Sequence, residues 1–147
     1  MAITGQGNII ILPTYNEIDN LPNILSKIWA VLPDTHILIV DDNSPDGTGR
    51  LADSLAEDSE QLFVLHRTEK KGLGPAYIAG FQWTLQRYYQ CIFEMDADLS
   101  HQPQHLPVFL RALYDYDIVL GCRYMPGGGV KGWARHRQWL SKFGNFY

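Results

Sequence analysis

The chain predicts an α/β fold with a mostly parallel sheet and helices on both faces. Three observations carry that reading. Apolar, β-branched runs recur without polar alternation at Asn8–Leu12, His36–Val40, Leu62–His66 and from Cys91 onward, as expected of strands buried on both faces. Between them lie segments whose apolar residues fall at helical spacing. Polar clusters follow the runs, and open α/β sheets place their ligands outside the carboxyl ends of the strands.

Taken in order, the first run is broken by Pro13-Thr14-Tyr15-Asn16-Glu17. A helix then starts near Leu21, with Asp19 or Asn20 available as a cap and Pro22 tolerated in the first turn. Its face is Leu21, Leu25, Ile28 and Leu32. The second strand runs into Asp41-Asp42-Asn43-Ser44-Pro45-Asp46-Gly47-Thr48, a dense turn signal. A short helix from about Gly49 to Glu57 turns Leu51, Ala52, Leu55 and Ala56 inward. After the third strand comes a polar loop, 67–74. Pro75 opens a helix through about Tyr89, with Tyr77 or Ile78, Phe81, Leu85 and Tyr88 on its face. The fourth strand, from Cys91, ends in Asp96-Ala97-Asp98. A helix after Pro103 carries Leu106, Phe109, Leu110 and Leu113, and Tyr116–Cys122 is expected as a fifth strand. Gly127-Gly128-Gly129 is a joint, and the segment from Gly132 has a poor hydrophobic period.

Composition narrows the classes. With 147 residues, 46% hydrophobic and 19% charged, the chain suits a single globular core and not a disordered one. No apolar run reaches the roughly 18 residues of a membrane span. The first residues, MAITGQGN, lack the basic and apolar regions of a signal peptide, so a cytoplasmic location is expected. Cys91 and Cys122 lie in apolar runs and are expected as small buried hydrophobes; no CxxC or HExxH pattern suggests zinc. All 16 acidic residues lie at or before Asp117, whereas Arg123, Lys131, Arg135, Arg137 and Lys142 follow it. A basic tail beside an acidic body suits an anionic partner such as phosphate or a membrane surface, or a solvated tail without one. The acidic body and the lack of a recognised motif argue against nucleic acid.

The polar clusters at the ends of strands one, two and four converge on one edge of the sheet. Asp96 and Asp98 can share a divalent metal such as Mg²⁺ or Mn²⁺, or serve as turn and capping groups. Neither a GxGxxG nor a GxxxxGK[ST] loop is present, so a phosphate ligand would be held by metal and basic side chains. His66, His101 and His105 have no evident partner and are read as satisfied or exposed.

These residues carry a resemblance. PTYNE at 13–17, VDDNSPDGT at 40–48, KGLGPAYIAGF at 71–81, MDADLSH at 95–101 and GCRY at 121–124 resemble the family 2 inverting glycosyltransferases of GT-A fold. Within them the chain is similar to the dolichol-phosphate or polyprenol-phosphate mannosyltransferases. The resemblance implies a nucleotide-sugar core over residues 1–124 and the start of an acceptor-side, membrane-proximal region over 125–147. It implies metal-dependent transfer of a hexose, mannose from GDP-mannose, to a polyprenol phosphate, with a UDP-glucose-dependent enzyme or an idle nucleotide-binding subunit as alternatives. Pro13, Tyr15, Glu17, Val40, Asp41 and Asp42 would contact the nucleoside, and Asp96, Ala97 and Asp98 the diphosphate and metal. Ser100 would stand where some relatives place a glutamine. Asp98, Arg123 and Arg137 would act at the transfer site, with Lys142 at a basic position.

Inverting transfer to a hydroxyl needs a general base, and no carboxylate follows Asp117. An anionic phosphate acceptor needs none; it needs cations, which the tail supplies. The tail tryptophans and Phe143 could face lipid, giving a peripheral protein at the cytoplasmic membrane face. Since relatives of this kind continue further, the acceptor side is expected to be incomplete here.

Overall fold

A computed structural model of the chain describes residues 4–122 and 139–141. Four strands, β1 (Asn8–Thr14), β2 (His36–Asp41), β3 (Leu62–His66) and β4 (Cys91–Glu94), form a wholly parallel sheet in the order β3-β2-β1-β4. Between them run α1 (Leu21–Val31), α2 (Thr48–Glu57) and α3 (Leu73–Thr84). A 3₁₀ turn at Pro103–His105 leads into α4 (Leu106–Ala112).

The strands need no polar face because both sides are covered. Side chains of β1 alternate between two cores. Ile10 and Leu12 join Ile37 and Ile39 of β2, with Ile24, Leu25 and Ile28 of α1, Ala52 of α2 and Leu106 of α4. On the opposite face Ile9 and Ile11 join Leu38 and Val40, covered by Ala76, Tyr77 and Phe81 of α3.

Helix α3 packs Tyr77 and Phe81 of its expected face on the sheet, but not Leu85. Its buried residues are Ala76, Gly80 and Thr84, while Ile78 and Leu85 are 58% and 74% exposed. The helix also stops at Thr84, short of Tyr89. Small residues face the sheet because helix and strand approach closely: a Cβ on Gly80 would lie 2.5 Å from Cγ2 of Ile11. Hydrophobic spacing alone selects the larger side chains and so misses Ala76, Gly80 and Thr84 at the close approach.

Residues up to Ala112 form one compact unit and those from Leu113 a second. In the second unit, Tyr116–Cys122 is not a strand. Ile118 and Leu120 are 77% and 82% exposed, and Cys122 is exposed where burial was expected; Cys91 is half-buried. An apolar β-branched run becomes a strand only where a partner edge completes its hydrogen bonds, and among the described residues this run has none. Arg123, Arg137 and Lys142, the Gly127–Gly129 joint and nearly all of the segment from Gly132 lie outside the described residues.

Candidate functional site

The loop after β1 is held by the loop after β2. Three successive backbone amides, of Asn16, Glu17 and Ile18, donate to Ser44 Oγ (3.1 Å), Thr48 Oγ1 (3.0 Å) and Asp46 Oδ2 (3.2 Å). Asp46 Oδ1 also accepts from the amide and hydroxyl of Thr48 at the start of α2. Burial alone would raise the Asp46 carboxyl, but these hydrogen bonds from Thr48 and Ile18 outweigh it and hold the group below its ordinary range. The turn residues of the second loop thus fasten the first loop to the sheet edge. Asn16 and Asn43, both at positive φ (62° and 56°), turn the chain where such residues tolerate the left-handed region.

Asp41 and Asp42 are neighbours with different roles. Asp41, 2% exposed, accepts from Thr14 Oγ1 (3.0 Å), Ser44 N (3.0 Å) and Ser44 Oγ (2.6 Å), tying β1 to β2. Asp42 accepts from Arg67 Nη1 and from the Lys71 amide. Each oxygen keeps a second lone-pair site, and the residue borders the pocket described next.

That pocket, a cavity of about 260 Å³, lies at the carboxyl ends of β1, β2 and β4. Pro13, Thr14, Tyr15 and Glu17 come from the first cluster, Asp42 from the second, and Asp96, Ala97 and Asp98 from the fourth strand's end. Lys70, Gly72, Leu73 and Ala76 complete the wall. The three clusters expected to share an edge therefore share one cavity. Val40, Asp41 and Ser100 do not line it. Val40 packs in the core beneath α3. Glu17 accepts from the Asn20 side chain at the start of α1 (2.7 Å), so Asn20 bonds to Glu17 instead of capping the helix.

The carboxylate pair is the polar end of this cavity. Asp96 Oδ1 accepts from Tyr77 OH at 3.0 Å, and its amide donates to His101 Nδ1 at 3.1 Å. His101 Nε2 stands 3.8 Å from Asp96 Oδ2. His101 thus has a partner that the sequence did not identify, as does His66, which bonds to Asp53 at 2.8 Å. The Tyr77 hydroxyl is pushed far above its ordinary range, first by burial and then by the Asp96 charge, so it stays protonated and serves as a donor. Asp98, exposed, accepts from Ser100 N at 2.9 Å. Desolvation opposes its charge, yet hydrogen bonding from Ser100 and the nearby His101 prevails and keeps it ionised. Leu99 between them has φ 64°, rare for a bulky side chain, and such strain concentrates at functional turns.

Divalent cations of the Mg²⁺ or Mn²⁺ type take hard oxygen donors, with one or two protein carboxylates completed by substrate phosphates and water. Asp96 and Asp98 fit that donor set. Among the described residues no group of three His, Cys, Asp or Glu side chains gathers as a metal cage. The first turn of α3, at Gly72 and Leu73, also borders the cavity and brings the positive end of a helix dipole there.

A parallel four-stranded sheet with helices on both faces and a carboxylate-lined cavity at its strand ends has the architecture of the Rossmann-like GT-A fold. A solved mannosyltransferase from Pyrobaculum calidifontis, in complex with GDP-Man and Mn²⁺, shares the fold at a TM-score of 0.62 and 24% identity, over 74% of this chain and 32% of that one. The family model for glycosyl transferase family 2 matches residues 9–147, and the chain belongs to that family. It is 51% identical over 144 residues to the polyprenol monophosphomannose synthase of Mycolicibacterium smegmatis, covering 97% of this chain and 54% of the relative. It is 49% identical over 139 residues to the undecaprenyl-phosphate mannosyltransferase of Micrococcus luteus, covering 95% of this chain and 57% of the relative. The chain thus spans little more than half the length of these relatives. No helix among the described residues is long and apolar enough to cross a membrane.

Proposed function

We propose that this chain is the donor-binding part of an enzyme that moves mannose from GDP-mannose to a polyprenol phosphate with inversion. The observation that carries the reading is the single cavity into which the ends of β1, β2 and β4 bring Pro13, Tyr15, Glu17, Asp42, Asp96 and Asp98. The names of the two relatives and of the solved neighbour support the donor and acceptor classes.

In this reading Pro13, Tyr15, Glu17 and Asp42 would face the nucleoside, and Asp96 and Asp98 would hold Mg²⁺ or Mn²⁺ together with the diphosphate. The bound ion supplies neutralisation of the negative charge that grows on the departing nucleoside diphosphate. Tyr77 holds Asp96 by its hydroxyl so that the carboxylate meets the ligand in one orientation. Ala97, small and buried between the two carboxylates, lets both reach the cavity. A phosphate oxygen of the acceptor attacks the anomeric carbon as the bond to the diphosphate oxygen breaks. Because that oxygen is already anionic, no side chain has to remove a proton. Arg123, at the end of the core, and Arg137 would orient the acceptor phosphate, and Lys142 would add positive charge, the last two within an acceptor-side region from residue 125. That region would also hold the protein peripherally at the cytoplasmic membrane face. Asp41 and Ser100 would act indirectly, Asp41 through Thr14 and Ser44, Ser100 through Asp98.

Calorimetric titration with GDP-mannose and with UDP-glucose, each with Mn²⁺, tests the reading. Preferential binding of GDP-mannose is expected; preference for UDP-glucose overturns the mannose assignment.

A further inference from the structure

The lining of the donor cavity contains four carboxylates, Glu17, Asp42, Asp96 and Asp98, and among the described residues one cation, Lys70. Each neighbouring base is engaged elsewhere. Arg67 pairs with Asp42, and Lys71 reaches Glu69 at 2.6 Å. Lys70 instead lies over the ring of Tyr15, with Nζ 3.7 Å from the ring centroid. No carboxylate partner of Lys70 appears among the described residues.

We infer that Lys70 is a diphosphate-binding residue that rests on Tyr15 while the cavity is free of ligand and moves to the phosphates when a nucleoside diphosphate enters. The inference rests on the nucleotide-sugar reading of the cavity. Its physical basis is a difference in partners. An ammonium over a half-buried ring is held modestly by the ring quadrupole, whereas a phosphate oxygen offers a full charge and a charge-assisted hydrogen bond. A lysine is a flexible point charge with three donors, able to change partners without rebuilding the loop. Gly72, at φ 91° with nothing within 4 Å of a built Cβ, leaves open space two residues along the same loop. Departure of Lys70 also bares one face of Tyr15, so occupancy of the phosphate end and access to that ring face are linked. A cavity lined by four carboxylates repels a diphosphate; a divalent ion and Lys70 together offset that repulsion.

The test compares GDP with guanosine by calorimetry, with Mn²⁺ present, for the wild type, Lys70→Gln and Lys70→Arg. Lys70→Gln is expected to weaken GDP binding about tenfold, the scale of one charge-assisted contact, while leaving guanosine affinity within about twofold. Lys70→Arg is expected to restore most of the GDP affinity. Equal weakening of GDP and guanosine would mean that the substitution merely disturbs the loop, and overturns the inference. Unchanged GDP affinity in Lys70→Gln overturns it too, with the nucleotide reading intact. A wild type that binds neither GDP nor UDP removes the nucleotide reading and this inference with it.

Discussion

The ends of β2 and β4 each carry acidic residues, yet they are built in opposite ways. At β2, Asp41 is enclosed and its oxygens are taken up by Thr14 and Ser44. Asp46, in the same loop, is taken up by Thr48 and Ile18. At β4, Asp96 is half-buried and Asp98 exposed, on a turn strained at Leu99, and both border the cavity. An identical side chain therefore braces the scaffold in one place and leaves acceptor sites open to a cavity in the other. What separates the two is how many of its lone pairs the protein itself has used.

Substitutions at the two strand ends sharpen this contrast. Asp98→Asn is expected to weaken Mn²⁺-dependent donor binding by about a hundredfold or more, exceeding the usual cost of losing a supporting contact at a metal site. Its thermal stability in the absence of ligand should stay close to wild type. Calorimetry and melting curves check both, and a large loss of stability would place Asp98 with the scaffold. Asp41→Ala should do the reverse. It strands the hydroxyls of Thr14 and Ser44 and is expected to cost about 2–3 kcal/mol of stability, read by urea denaturation. Folded Asp41→Ala should keep donor affinity within about threefold of wild type; a hundredfold loss there would erase the distinction.

Gly80→Ala probes the scaffold away from both strand ends. The added carbon meets Ile11 at 2.5 Å, and overpacking of this kind costs roughly 1–3 kcal/mol. An unchanged melting temperature would mean that α3 lifts freely from the sheet. The smallest effect is expected from Asp46→Asn. Asp46 has a lowered folded-state pKa, so its contribution is present above its ordinary value of 3.8 and disappears as pH falls through the lower folded value. The stability gap between wild type and Asp46→Asn, less than about 1 kcal/mol at neutral pH for a group that solvent still screens, should close below that point. A gap independent of pH would trace to lost geometry and not to charge.

Much of this was legible in the residues. The four strands were, because continuous Ile, Leu and Val runs have few other uses in a chain of this size. The meeting of Tyr15, Asp42, Asp96 and Asp98 was, because parallel strands place all their carboxyl ends on one edge. Of the α3 face, Tyr77 and Phe81 were, but Ala76, Gly80 and Thr84 were not, since they pack by being small, and hydrophobicity does not score smallness. Nor was the clamp of Ser44, Asp46 and Thr48 on the amides of residues 16–18. Turn residues advertise a turn, not the distant backbone they hold. Lys70 and Lys71 are equivalent in sequence, and only the fold tells which one faces the cavity. The strand pattern at 116–122 met no ladder among the described residues, because patterning states what a segment can bury and not whether an edge is there to receive it.

The sheet order has a kinetic consequence. Ile9 pairs with His36 and Ile37 with Leu62, but Asn8 must find Cys91 across most of the first unit. Closing the longest loop costs the most chain entropy, and such pairings form after local ones. The β4 strand is also the outermost in the sheet on its side, with four residues against seven for β1. The carboxylate pair therefore follows the strand that is expected to dock last and to open first. Amide hydrogens of Ile92 and Phe93 should exchange faster than those of Ile10 and Ile39, and ligand that bridges the pair to the loop after β1 should slow them. A ligand held there would fasten an edge strand of four residues to the rest of the sheet.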